Sequence, residues 1–111
     1  MSMTLKRTSL DDYAVLDIEG EIDVSTADEL RSALGGLIEA GDTRILVDLQ
    51  DVQFMDSTGL GVLVSSLKRA RGEGGDLRLV VKSERLTTLL RITALEQVFT
   101  IGQTPQDAVA G

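Results

Sequence analysis

The chain contains no cysteine and no histidine. Without cysteine there is no disulfide framework, so a cytoplasmic protein is expected. Without histidine the usual serine-hydrolase triad has no general base, and a zinc site lacks both of its main ligands. Aromatic residues are 3% of the chain and tryptophan is absent. That leaves too few rings for a surface on which nucleic-acid bases stack. No apolar run approaches the ~20 residues of a membrane span. The opening Met1-Ser2-Met3-Thr4-Leu5-Lys6 lacks the apolar block of a secretion signal. Positive charge is scarce as well: the formal net charge is -7 and the pI is near 4.4. This balance opposes direct binding to nucleic-acid phosphates and docking on anionic lipid. A protein partner with basic residues at its contact surface fits better.

What is present suits one globular domain spanning residues 1–111. Hydrophobic residues make up 42% and charged residues 26%, an ordinary balance. A chain of this length buries about two-thirds of its unfolded surface. There is no internal repeat and no linker long enough to divide domains.

Met3 to Arg7 alternates weakly and predicts an edge strand. After a turn at Leu10-Asp11-Asp12, Tyr13 to Glu19 predicts a stronger strand with Ala14, Leu16 and Ile18 on one face. The turn between them predicts an antiparallel pair. Ser25 and Thr26 are N-cap candidates, with Asp28 and Glu29 three residues on, as a capping box requires. Ala27, Leu30, Leu34, Leu37 and Ile38 recur at helical spacing, and Gly41 ends that helix. Arg44 to Leu49 reads as a buried strand, with Val52 to Met55 running on towards a second helix. In that helix Leu60, Leu63, Val64 and Leu67 face inward, and Ser65, Ser66 and Arg69 form the polar face. Leu77 to Val81 predicts a strand and Ser83 caps a short helix. Val98 to Ile101 predicts a last strand, and Thr104-Pro105-Gln106-Asp107 opens a last helix. Strands and helices alternating in this way predict an α/β domain with a mixed sheet of about five strands and about four helices.

The most informative run is Phe54-Met55-Asp56-Ser57-Thr58-Gly59-Leu60-Gly61-Val62-Leu63. It sets a serine hydroxyl where a buried strand hands over to a helix, whose start carries unpaired N–H groups and partial positive charge. Phe54 and Met55 are expected to bury the strand end. Either Asp56 or Ser57 can cap the helix. Gly59 and Gly61 lower helix propensity and point to close approach by another group. A capped strand-to-helix turn with tightly packed glycines also accounts for the run without any function.

Other chemistries fit poorly. Met55 stands where a nucleophile elbow needs its first glycine, and no phosphate-binding loop or dinucleotide fingerprint exists. Asp48 and Asp51 flank a strand end, as in a response-regulator receiver. However, Asp11-Asp12 precedes its strand, whereas a receiver's acidic pair follows one. Solvated loop acids explain these positions, and no metal site is expected.

The run Met55 to Leu63 resembles the signature of the anti-sigma factor antagonists of the STAS domain family, stand-alone bacterial type. Gly20-Glu21-Ile22-Asp23-Val24-Ser25-Thr26-Ala27, Ile45-Leu46-Val47-Asp48-Leu49 and Leu77-Arg78-Leu79-Val80 are also similar to that family, in order and at matching intervals. The resemblance implies a STAS-like fold and a function by partner switching. The unphosphorylated protein binds an anti-sigma factor, itself a serine kinase, and so frees a sigma factor in a stress response. Phosphorylation ends the interaction and a serine phosphatase restores it. By this resemblance the phosphorylated residue is Ser57, with Thr58 keeping a hydroxyl beside it. Asp23, Asp56, Ser57, Thr58, Gly59, Leu60 and Gly61 are the implied partner-binding residues. No catalysis and no cofactor are implied. The alternative is a STAS subunit of a non-sigma assembly, such as a sensory stress complex or a lipid-transport complex.

Overall fold

The computed structural model describes residues 2–110. Five strands form one sheet in the order β1-β2-β3-β4-β5. They are β1 (Met3–Leu10), β2 (Tyr13–Ile22), β3 (Arg44–Met55), β4 (Asp76–Val80) and β5 (Ile101–Gly102). β1 and β2 form the expected antiparallel hairpin. The remaining neighbours are parallel, which requires crossovers. These are α1 (Ala27–Glu39), α2 (Ser57–Gly72) and α3 (Glu84–Ile92), and α4 (Pro105–Val109) follows β5. The expected α/β architecture with a mixed sheet is therefore present.

The sheet has two unequal faces. Ala14, Leu16, Ile18, Ile45, Val47, Leu77 and Leu79 alternate onto one face and form the main core with α1, α2 and α3. Tyr13, Val15, Leu46 and Val80 point the other way and are covered by Ala108 of α4. Fully burying one such aliphatic side chain stabilises the fold by about 1.5–3 kcal/mol.

β3 runs unbroken for 12 residues, although its sequence reads as two segments. The reason lies in its pairing with β2, which shifts register between Asp17 and Glu19 and again between Gly20 and Glu21. Each bulge adds a residue to one strand and turns the following side chains over. Leu49, Val52 and Met55, spaced by three, thereby all reach the main core. A strict two-residue period cannot anticipate that.

Four other details depart from expectation. Thr26 occupies the N-cap position of α1 but makes no side-chain cap bond. It is buried, and its hydroxyl donates to the Glu21 carbonyl at 3.0 Å. Ser66 is buried, not part of a polar face. Phe54 is 38% exposed, so only Met55 of that pair seals the strand end. Finally, β5 is two residues long, because Leu95–Gln97 forms a 3-10 turn that pulls Val98 out of the strand.

Candidate functional site

Two chain segments meet at the C-terminal end of β2 and β3. β3 leaves the sheet at Met55, and the Asp56 N–H donates to the Ile22 carbonyl at 3.1 Å. This bond ties the start of α2 to the loop that begins at Asp23. Gly59 completes the junction. A Cβ there would lie 2.6 Å from Ile22 Cγ2 and 2.9 Å from Met55 Cγ, both inside van der Waals contact. The first turn of α2 therefore packs flush against Ile22 only because residue 59 has no side chain.

The two ways of capping α2 left open by the sequence are now decided. Asp56 has an extended backbone, and its Oδ1 accepts from Thr58 N at 2.9 Å and Gly59 N at 3.1 Å. Ser57 is the first helical residue and is exposed. Its hydroxyl thus sits at the positive end of a 16-residue helix without being used to hold it. Thr58 is half-buried and Gly61 is exposed. A Cβ at Gly61 would meet nothing within 4 Å, so nothing inside the domain explains that glycine.

Gly59 and Leu60 are placed differently from the docking role that the signature implies. Leu60 is 5% exposed and belongs to the main core, and Gly59 is buried. Both shape the turn from beneath and offer no side-chain surface.

The neighbouring loop is held by its own bonds. Asp23 Oδ1 accepts from Ser25 N at 2.8 Å and Ser25 Oγ at 2.6 Å. The Asp23 N–H donates to Thr26 Oγ1 at 3.0 Å. The Ser25 hydroxyl, helped by the Ser25 and Thr26 backbone, holds the Asp23 carboxyl below its ordinary range. Asp23 is thus charged at neutral pH. Beside it Val24 is 75% exposed. Sequence reasoning passed over Val24; the available signal was a lone branched apolar residue between two loop polars, on no buried face.

Charge is unevenly spread. Residues 1–67 hold thirteen of the eighteen acids and only four of the eleven bases. The Ser57 turn and the Asp23 loop both belong to this acidic part. On one sheet face Asp17 and Asp48 are direct partners in the β2–β3 register, followed by Glu19 and Asp51. Asp48 and Asp51 thus stand within β3 and not in a strand-end loop, and Asp48 is buried, accepting from the Gln50 N–H and side-chain amide. Among the described residues no group of three or more potential ligands could hold a metal ion, and no helix is long and apolar enough to cross a membrane.

The STAS domain family model matches residues 4–108. The chain belongs to the STAS domain family. An anti-sigma-B factor antagonist from Bacillus subtilis (strain 168) is 45% identical over 95 residues, 85% of either chain. One from Staphylococcus aureus (strain NCTC 8325 / PS 47) is 32% identical over 103 residues, 93% of this chain and 95% of that protein. Among solved structures, an anti-sigma factor antagonist from Mycobacterium paratuberculosis superposes with a TM-score of 0.89 at 28% identity. That match covers 98% of this chain and 92% of the other. In this STAS domain the signature run forms the β3–α2 junction, and the earlier motif forms the loop beside it.

Proposed function

We propose that this STAS domain, acting as one unit over residues 1–111, is an anti-sigma factor antagonist switched by phosphorylation of Ser57. One observation carries the reading. Ser57 is exposed at the first position of α2, in a chain 45% identical over 95 residues to an anti-sigma-B factor antagonist.

The unmodified form binds an anti-sigma factor through Asp23, Ser57, Thr58, Gly61 and the exposed Val24. Asp56, Gly59 and Leu60 support that surface. The bound partner is also the kinase. It transfers the γ-phosphoryl group of ATP to Ser57 Oγ, releasing ADP and the hydroxyl proton. The added group carries roughly -1.5 to -2 charges at neutral pH. In the middle of a contact surface that charge must be desolvated or paired, and the acids around it supply no pairing. Each 1.4 kcal/mol of lost binding is about tenfold in affinity. A serine phosphatase reverses the step. The domain is a substrate and a ligand in the cytoplasm, with no catalysis of its own.

The test uses the purified chain, its cognate kinase and ATP. Mass spectrometry is expected to show one phosphoryl group at Ser57, and Ser57→Ala to bind the kinase without being modified. Amide spectra of the two forms are expected to match away from the α2 start, because the switch acts at the interface. A folded chain that the kinase neither binds nor modifies contradicts the reading and favours a STAS subunit of a non-sigma assembly.

A further inference from the structure

An anion at a helix start is normally held by free backbone N–H groups. In this domain the N–H groups flanking that of Ser57 are already occupied. The Thr58 and Gly59 N–H groups donate to Asp56 Oδ1, the Leu60 N–H donates to the Asp56 carbonyl, and the Asp56 N–H donates to Ile22. We propose that Asp56 is a positioning residue that denies a Ser57 phosphate its seat on α2, so that the phosphate is presented outward as an unneutralised charge. The inference rests on Ser57 being the modified residue.

The charges decide the direction. The helix end offers about +0.5 of a charge. The Asp56 carboxylate brings a full negative charge to the same place, so the turn meets a phosphate as a net anion. The other groups at this end of the sheet add to that. Glu21 is the next-to-last residue of β2, and Asp23 follows in the loop. Asp28 and Glu29 lie in the first turn of α1, where Arg31 is paired with Asp28. From α3, Arg85 borders the hollow lined by Val52 and Gln53 on β3. On α2 itself the first bases are Lys68 and Arg69, more than two turns along. The ordinary phosphoserine second pKa of about 6 is therefore raised at Ser57. Without Asp56 the same phosphate would take over the vacated N–H groups and become a helix cap.

Asp56 thereby converts a modification that would stabilise the fold into one that acts on the partner. It keeps the shape of the turn constant while the charge changes.

The test uses the full chain with phosphoserine installed at position 57 during translation, so that it does not depend on any kinase. Phosphorus NMR follows the phosphate titration in the parent chain, in Asp56→Asn and in Asp56→Ala. Asparagine caps about as well as aspartate, so Asp56→Asn keeps the turn and removes only the charge. The expected midpoint lies above about 6 in the parent and falls in Asp56→Asn. In Asp56→Ala it falls further, and the phosphorylated form melts at a higher temperature than its unphosphorylated counterpart. The parent chain is expected to show no such gain. A parent midpoint at or below about 6 that Asp56→Asn leaves unchanged overturns the proposal. So does transfer of the Thr58 and Gly59 amides from Asp56 to the phosphate in the parent chain, read from their nitrogen-15 spectra. Failure of a kinase to modify Ser57 bears instead on the proposed function.

Discussion

Asp56 Oδ1 lies 3.1 Å from the backbone nitrogen of Gly59 and holds the first turn of α2 closed while Ser57, between them in sequence, faces solvent. Support and the proposed switch are thus divided between adjacent residues. Removing the cap in Asp56→Ala is expected to destabilise the domain by about 0.5–2 kcal/mol. Ser57→Ala is expected to stay within roughly 0.5 kcal/mol of the parent. Urea denaturation followed by circular dichroism measures both. Equal losses at the two positions would mean that the hydroxyl shares the capping.

The two signature glycines are predicted to behave oppositely. Gly59→Ala drives a methyl group into Ile22 and Met55, and overpacking of this kind typically costs about 1–3 kcal/mol. Gly61→Ala enters open space. It gains up to about 1 kcal/mol from helix propensity, while partner affinity is expected to fall. Thermal melts together with titration calorimetry against the partner separate these effects. Unchanged affinity in Gly61→Ala would remove the case for close approach at that position.

Acid on the sheet face of Asp17 and Asp48 works against the fold at neutral pH. Burial raises the Asp17 carboxyl above its ordinary value near 3.8, with Asp48, Asp51 and Glu19 adding to the rise and Lys6 opposing it. Only between its ordinary value and the raised one does the folded state hold a proton that the unfolded chain has released. Asp17's unfavourable contribution is full above its raised folded value and is relieved as pH falls through that value towards 3.8. Asp23, held low by Ser25, acts in the opposite sense: its contribution is present above its ordinary value and is lost as pH falls below it. Asp17→Asn is therefore expected to stabilise the domain at pH 7 on the scale of a cross-strand pair, about 0.2–1 kcal/mol. That gain should shrink as pH falls towards 4. A series of urea midpoints across this range checks it, and a gain independent of pH contradicts it.

Much of this fold was legible in the sequence because its signals are local. Ser83 accepts from the Leu86 N–H at 3.2 Å, and Thr104 accepts from the Asp107 N–H at 3.1 Å, as their positions before apolar or proline-led runs predicted. The hairpin followed from the turn at Asp11-Asp12. What stayed hidden depends on neighbours distant in the chain. The continuity of β3 needs two register shifts against β2. Ser66 looks like surface until its helix is docked, and Phe54 looks like core until its face is left uncovered. At the site, the motif marked the β3–α2 turn but did not separate the capping residue, Asp56, from the exposed one, Ser57. Gly59 and Gly61 are identical letters, and what distinguishes their surroundings is Met55 together with Ile22, 37 positions before Gly59.

The central claim is that charge on the Ser57 side chain governs partner binding. Titration calorimetry of the anti-sigma factor kinase against the unmodified and the fully Ser57-phosphorylated chain tests it most directly. The predicted result is at least about 100-fold weaker binding of the phosphorylated form, which corresponds to roughly 2.8 kcal/mol. Equal affinity of the two forms, each shown to be folded, would contradict the account.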